Sequence, residues 1–431
     1  MQFMKYVRNA KLMALRIYFV RGAFVAAVFL LMAHGSNAQA LTPAWVELGE
    51  GGKMFARIVV NMPQDCPAIQ VDGVSKPMAL RPNMPGGLRP ACEFEIPASA
   101  KSASVNSHTL ALPRNNPTEV ITIGDTGCRI KGQQIQACND AAGWPFREVA
   151  SSAAAEKANL IIHVGDYLYR ESPCPEASTA QCGGSPAGDN WDAWNADFFA
   201  PAAELLSAAP WAFTRGNHED CNRAWRGWFY YLDPRPWDGK CEEYSAPYLI
   251  KLGNFQLAML DSASINENVV DEEELRIFGM QLASLQAKGS WLATHHPFWG
   301  FYPDRRSGLP KPTTPVLEEA WDKASPKNFS LILSGHVHLF EYVSADNGRP
   351  PQIVAGDGGT QMDVPIKISV KGTTIRGATV NGGRMNGQFG YTMLTKEGKN
   401  WHLEMKDRSA KVMVTCTVPE SSESCQSVGT D

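Results

Sequence analysis

The chain has 431 residues and a formal net charge of −4, with acidic and basic side chains mixed along its length. That length exceeds the roughly 250 to 300 residues at which a single hydrophobic core stops growing, so one large and one small domain are expected. With no basic stripe to neutralise a run of phosphates, a nucleic-acid polymer is excluded as the main partner.

Lys5, Arg8, Lys11, Arg16 and Arg21 precede an apolar run over residues 22–32, and Ala38-Gln39-Ala40 follows. This order predicts a secretory signal over residues 1–40, cleaved after Ala40. The apolar run falls short of the roughly 20 residues that cross a bilayer, so no stable membrane anchor is expected. All ten cysteines lie beyond that point. An even number in a chain bound for an oxidising compartment predicts disulfides and a periplasmic or secreted location. Pairing of near neighbours joins Cys66 with Cys92, Cys128 with Cys138, Cys174 with Cys182, Cys221 with Cys241, and Cys416 with Cys425. No Cys-x-x-Cys is present to suggest a zinc ribbon.

Residues 41–117 alternate short β-rich runs, such as 55–60, with clusters of Pro, Gly and Asn. They predict a small all-β domain, a sandwich of immunoglobulin or fibronectin type. The Pro-Arg-Asn-Asn-Pro of residues 113–117 resists helix and central strand and marks the boundary. Over residues 118–408, apolar strands end in Gly-Asp or His and lead into polar loops or helices, the rhythm of an α/β domain. Residues 119–124, 160–164, 290–294 and 330–333 read as strands. Residues 147–157 and 271–287 read as helices, the second with acidic residues in its first turn, where they complement the macrodipole. Chemistry-bearing residues at the carboxyl ends of successive strands converge on one rim of an open sheet, so a single shared site is expected. Residues 409–431 form a tail holding the last cysteine pair.

Five segments carry the chemistry: Gly124-Asp125-Thr126-Gly127, Gly165-Asp166-Tyr167-Leu168-Tyr169, Gly216-Asn217-His218-Glu219, Thr294-His295-His296-Pro297 and Gly335-His336-Val337-His338. Singly each is an ordinary turn or strand end. Together and in this order they resemble the calcineurin-like metallophosphoesterases, whose five blocks surround two metal ions. The resemblance extends over about 119–365 and includes Ala355-Gly356-Asp357-Gly358-Gly359. Most members place a His two residues after the first Asp. Here that position is Gly127, and Tyr169 follows Asp166 by three, the pattern of the purple acid phosphatase branch.

The resemblance implies a catalytic domain built as a β-sandwich flanked by helices, and it implies ligands. Asp125, Tyr169 and His338 would hold the first metal, Asn217, His295 and His336 the second, and Asp166 would bridge them. Hard anionic donors suit Fe(III), whereas imidazole and amide suit a divalent partner, Zn, Mn or Fe. The implied activity is hydrolysis of a small phosphate monoester by a metal-bound hydroxide. His218 would protonate the leaving oxygen or orient a ligand, with Glu219 as its orienting partner. His296 is a second candidate for phosphate contact, although strand alternation allows it to turn away from His295. His163 reads as a core histidine. Trp299, Phe301 and Tyr302 read as pocket wall or loop packing. A phosphodiesterase or nucleotide-specific phosphatase would use the same residues. A degenerate metal-binding interaction protein is the reading from another class, and the complete ligand set argues against it. The sequence sets no oligomeric state.

Overall fold

The computed structural model describes residues 41–285, 289–303, 310–327, 329–366, 369–419 and 424–428. The expected signal segment lies outside them. The strands Glu119–Ile123, Leu160–His163 and Trp211–Phe213 run parallel in the middle of an eleven-stranded sheet. A strand covered on both faces reads as a continuous apolar run, and all of Leu160–His163 is buried. In a second sheet, of eight strands, Phe255–Met259, Ser290–Ala293, Phe329–Ser334 and Gln352–Ala355 are also parallel.

The two sheets pack face to face, with Val120, Ile162 and Ala212 of the first in one apolar cluster with Leu257, Ala293 and Leu333 of the second. Alternation along each strand sends the next residues to the opposite face. Ile121 and Ile161 therefore meet the helix Phe146–Ala155, while Leu292 and Ile332 meet the helices Glu272–Ser284 and Pro315–Ala324. Each such buried aliphatic side chain is worth roughly 1.5–3 kcal/mol relative to exposure. The result is the helix-flanked β-sandwich expected. Asp271 caps its helix by accepting the amides of Glu273 and Glu274, each at 3.0 Å, which sets the start one residue inside the predicted span.

Residues 41–117 are rich in β-structure, and half of their eight strands join the main sheet while the other half form a small sheet of their own. Trp45–Leu48 pairs in parallel with Trp211–Phe213, and Met54–Val59, Ala91–Ile96 and Ala79–Leu80 extend the same eleven-stranded sheet. What stands apart is a four-stranded sheet containing Ala68–Val71 and Ala103–Val105. The physical reason is a buried charge network. Arg57 pairs with Glu47 at 2.5 Å and Glu93 at 2.6 Å, and also donates to the carbonyls of Tyr231 and Asp233 at 2.8 and 2.7 Å. Buried charges need partners on every side, and here both halves of the chain supply them. The C-terminal tail likewise joins the sheet, Val412–Val418 pairing with Asn400–Asp407. The five expected disulfides are present and no described cysteine is free. Among the described residues no helix is long and apolar enough to cross a membrane.

Candidate metal centre

Asp125, Asp166 and Asn217 stand just beyond the three central strands of the first sheet, and His295 and His336 just beyond two strands of the second. Asp125, Asp166 and His336 have φ of 55°, 60° and 72°. This left-handed backbone costs a non-glycine residue about 1–3 kcal/mol and collects at functional sites. The loops interlock closely: a Cβ at Gly216 would sit 2.0 Å from Asp166 Oδ1.

The first cluster centres on Tyr169. Its hydroxyl lies 3.0 Å from Asp125 Oδ1, 2.8 Å from Asp166 Oδ2 and 3.0 Å from His338 Nε2. His338 Nδ1 donates to the Gln361 carbonyl at 2.9 Å; a carbonyl only accepts, so Nε2 is the bare nitrogen and it faces the cluster. One phenolic proton thus stands among three acceptors. Burial, with Asp125 and Asp166, raises the phenol well above its usual pKa. Burial and Asp166 also raise Asp125 well above the carboxylate range, whereas Asp166, despite its burial, is held well below it by His295 and His218. Such a concentration of lone pairs fits a strongly charged cation.

The second cluster has the same character. His295 Nδ1 donates to the Val164 carbonyl at 2.8 Å, and its Nε2 lies 3.0 Å from Asn217 Oδ1 and 3.3 Å from Asp166 Oδ2. His336 Nδ1 is 3.4 Å from the same Asn217 oxygen, and its Nε2 meets Glu267. With Glu267 holding Nε2–H, Nδ1 is free to ligate. Asp166 belongs to both clusters, and all seven ligand candidates come together at one rim. His296 is buried, packs its ring 4.3 Å from that of His336, and bonds Ser262 Oγ at 3.2 Å through Nδ1. Its Nε2 has no hydrogen-bond partner among the described residues. Atoms of Glu267, His296 and His336 lie within 4.8 Å of one another.

His218 lies against the Tyr169 ring at 3.8 Å, with Nε2 3.9 Å from Asp166 Oδ2. Its Nδ1 contacts Glu171 Oε1 at 2.6 Å, so the carboxylate beside the ring is Glu171 and not Glu219. The short turn Asn217–Glu219 sends Glu219 backwards, where it accepts the amides of Tyr167 at 2.9 Å, Leu168 at 3.0 Å and Gly216 at 3.2 Å and ties two ligand loops together. Burial lowers the His218 pKa, partly offset by Asp166 and Glu171. Asp197, in the long insertion that separates Tyr169 from the strand Trp211–Phe213, accepts the amides of Cys128 at 3.1 Å and Tyr169 at 2.8 Å, joining the Asp125 and Tyr169 loops. No motif in the sequence marks Asp197, Glu171 or Glu267.

His163 is a core histidine, bonded to Thr126 Oγ1 and the Gly165 amide at 3.2 Å each. Trp299 and Phe301 are fully buried packing residues, while Tyr302 lines the cleft in front of the ligands. Trp191 and Trp194 of the insertion are buried in the core behind the first sheet.

The calcineurin-like phosphoesterase family matches residues 119–340, just over half of the chain. No curated protein matches it. Among solved structures, a purple acid phosphatase, PPD1, from seeds of yellow lupin (Lupinus luteus) superposes with a TM-score of 0.59 at 13% identity, over 91% of this chain and 78% of that one. PhoD superposes with a TM-score of 0.55 at 11% identity, over 90% of this chain and 92% of the other. At these identities the likeness concerns the fold.

Proposed function

The chain belongs to the calcineurin-like phosphoesterase family, a metal-dependent hydrolase family, and from that premise we propose that it is an exported phosphatase that hydrolyses phosphate monoesters at a dinuclear centre of the purple acid phosphatase kind. The observation that carries this reading is the convergence of Asp125, Asp166 and His338 on the Tyr169 hydroxyl, all within 3.0 Å. Asp125, Tyr169 and His338 would hold one ion and Asn217, His295 and His336 the other, with Asp166 within reach of both. Two carboxylates and a phenolate favour Fe(III) on the first side, and imidazole with amide favours Zn(II), Mn(II) or Fe(II) on the second. When bound, such a pair lowers the pKa of a water and offsets charge on phosphoryl oxygens.

In the reaction a water oxygen bonds to phosphorus as the bond to the ester oxygen breaks, and the departing alkoxide needs a proton. His218 stands beside the shared ligand Asp166 with its ring fixed by Glu171, the position for that donor. Burial lowers the His218 pKa, and Asp166 and Glu171 offset part of that loss. His296 packs behind His336 and holds that ligand's ring in place. The five disulfides support export to an oxidising compartment, periplasmic or extracellular.

The test is hydrolysis of p-nitrophenyl phosphate against bis(p-nitrophenyl) phosphate by the metal-loaded protein. The proposal expects the monoester to be favoured. A preference for the diester would overturn the monoester reading and leave a phosphodiesterase.

A further inference from the structure

The cleft in front of the ligands has a volume of about 940 Å³, far more than a phosphoryl group fills, and its apolar lining is limited to Tyr302, Val337 and Val364. Four cations line it, Arg129, Lys131, Arg223 and Lys311, together with the carboxylates of Asp166, Glu267 and Asp363. Arg129 and Lys131 come from a hairpin in which Ile130–Lys131 pairs with Gln134–Ile135 and whose base is closed by the Cys128–Cys138 disulfide. Ile130 is buried, and its amide donates to the Tyr169 carbonyl at 3.0 Å. Extended backbone alternates its side chains, so burying Ile130 turns both neighbours toward the cleft.

Arg129 is the inner cation. Its guanidinium lies 5.0 Å from the centre of the Tyr169 ring, and Nη2 is 3.4 Å from His338 Nε2. Lys131 belongs to the same hairpin, and Arg223 follows the turn Asn217–Glu219 that carries His218. These two flank one carboxylate: Lys131 Nζ is 3.1 Å from Glu171 Oε2, and Arg223 Nη1 is 3.6 Å from Glu171 Oε1. Glu171 also serves His218, and Arg223 has a further pairing with Asp220 at 3.5 Å. The Lys131 and Arg223 side chains remain 45% and 28% exposed, and Arg223 Nη1 is buried with no hydrogen-bond partner among the described residues.

We propose that Lys131 and Arg223 bind a second phosphate, carried by the leaving group, so that the substrate class is a small organic molecule bearing two phosphates. The proposal rests on the phosphatase reading and adds the identity of the leaving group. A leaving group with a phosphate finds an ammonium and a guanidinium at the distance of one carboxylate from His218, and charge-assisted bonds to such groups are the strong ones.

Steady-state kinetics of the metal-loaded enzyme on α,ω-alkanediol bisphosphates with two to six carbons, against the matching monophosphates, tests this. The expected result is a bisphosphate preference in kcat/KM of about tenfold or more at one spacer length, weakened by added salt. Lys131→Gln and Arg223→Gln are each expected to lower that ratio by about threefold or more. A wild-type ratio near one, or a ratio that survives both substitutions, overturns the inference and leaves the phosphatase reading intact. Failure to turn over either series overturns both.

Discussion

A Cβ at Gly127 would meet the Tyr167 carbonyl oxygen at 2.5 Å, Asp197 Oδ2 at 2.9 Å and the Tyr169 amide nitrogen at 2.9 Å. The histidine that most of the family carries at this position has no room, and Tyr169 reaches the same cluster from the next strand's loop. Gly127→Ala is accordingly expected to displace the Tyr169 loop and to lower kcat/KM by tenfold or more, roughly the effect of a small misplacement at a catalytic centre; wild-type kinetics in that variant would contradict this. Glu171→Gln is expected to keep the bound metals and to lower kcat most for esters with poor leaving groups, because a badly held His218 matters only when the alkoxide needs a proton. A loss equal across leaving groups would assign Glu171 to substrate binding instead. The sequence pointed to Glu219 for this task because it adjoins His218. Adjacency misleads at a tight turn, where neighbouring side chains diverge, and Glu171 reaches His218 only after the two loops have folded together.

The elements that carry ligands were legible because their cause is local. Runs such as Leu160-Ile161-Ile162 are apolar on both faces and stop at Gly-Asp, so strand, end and loop all follow from the pattern. What holds the loops in place was not legible. Asp197 sits in the π-helical turn Asn195–Phe199, fully buried, and accepts two contacts from Arg170 as well, at 3.1 and 2.6 Å. A buried Asp in an insertion carries no signal of its own; its partners lie on segments far away in the chain. Asp197→Ala would strand the Arg170 charge in the interior and free two ligand loops. The expected cost is about 3–5 kcal/mol of unfolding free energy, measured by denaturant titration. A change under about 1 kcal/mol would show that the insertion does not support the site. The sheet joined by residues 45–96 was likewise hidden, because a run of β-branched residues announces a strand but not its partner.

At the scale of the whole molecule, the site exists only where two sheets meet, since Asp125, Asp166 and Asn217 come from one and His295 and His336 from the other. The site therefore depends on the stability of the sandwich, and Glu341 reports on that stability. It is buried, accepts the Phe301 amide at 3.0 Å, and burial raises its pKa from 4.5 to about 8. Unfolding at a pH between those values releases its proton, so this group makes the fold progressively less stable as pH rises from 4.5 to 8, with no further loss above. Glu341→Gln keeps the acceptor and removes the titration. It is expected to match the wild type near pH 4 and to gain roughly 2–5 kcal/mol by pH 8, read from denaturation midpoints at both pH values. An equal gain at both would show that charge is not the cause.

The central claim, that Tyr169 completes the first metal cluster as a phenolate, is tested most directly by the visible absorption spectrum of the iron-loaded protein. A phenolate on Fe(III) absorbs visible light, whereas a hydrogen-bonded phenol does not. The wild type is expected to be purple, with Tyr169→Phe colourless and depleted in iron. Tyr167→Phe is expected to keep the band, because the Tyr167 hydroxyl is turned away to the Thr214 carbonyl at 2.9 Å. A colourless iron-loaded wild type, or a band that survives in Tyr169→Phe, would contradict the assignment.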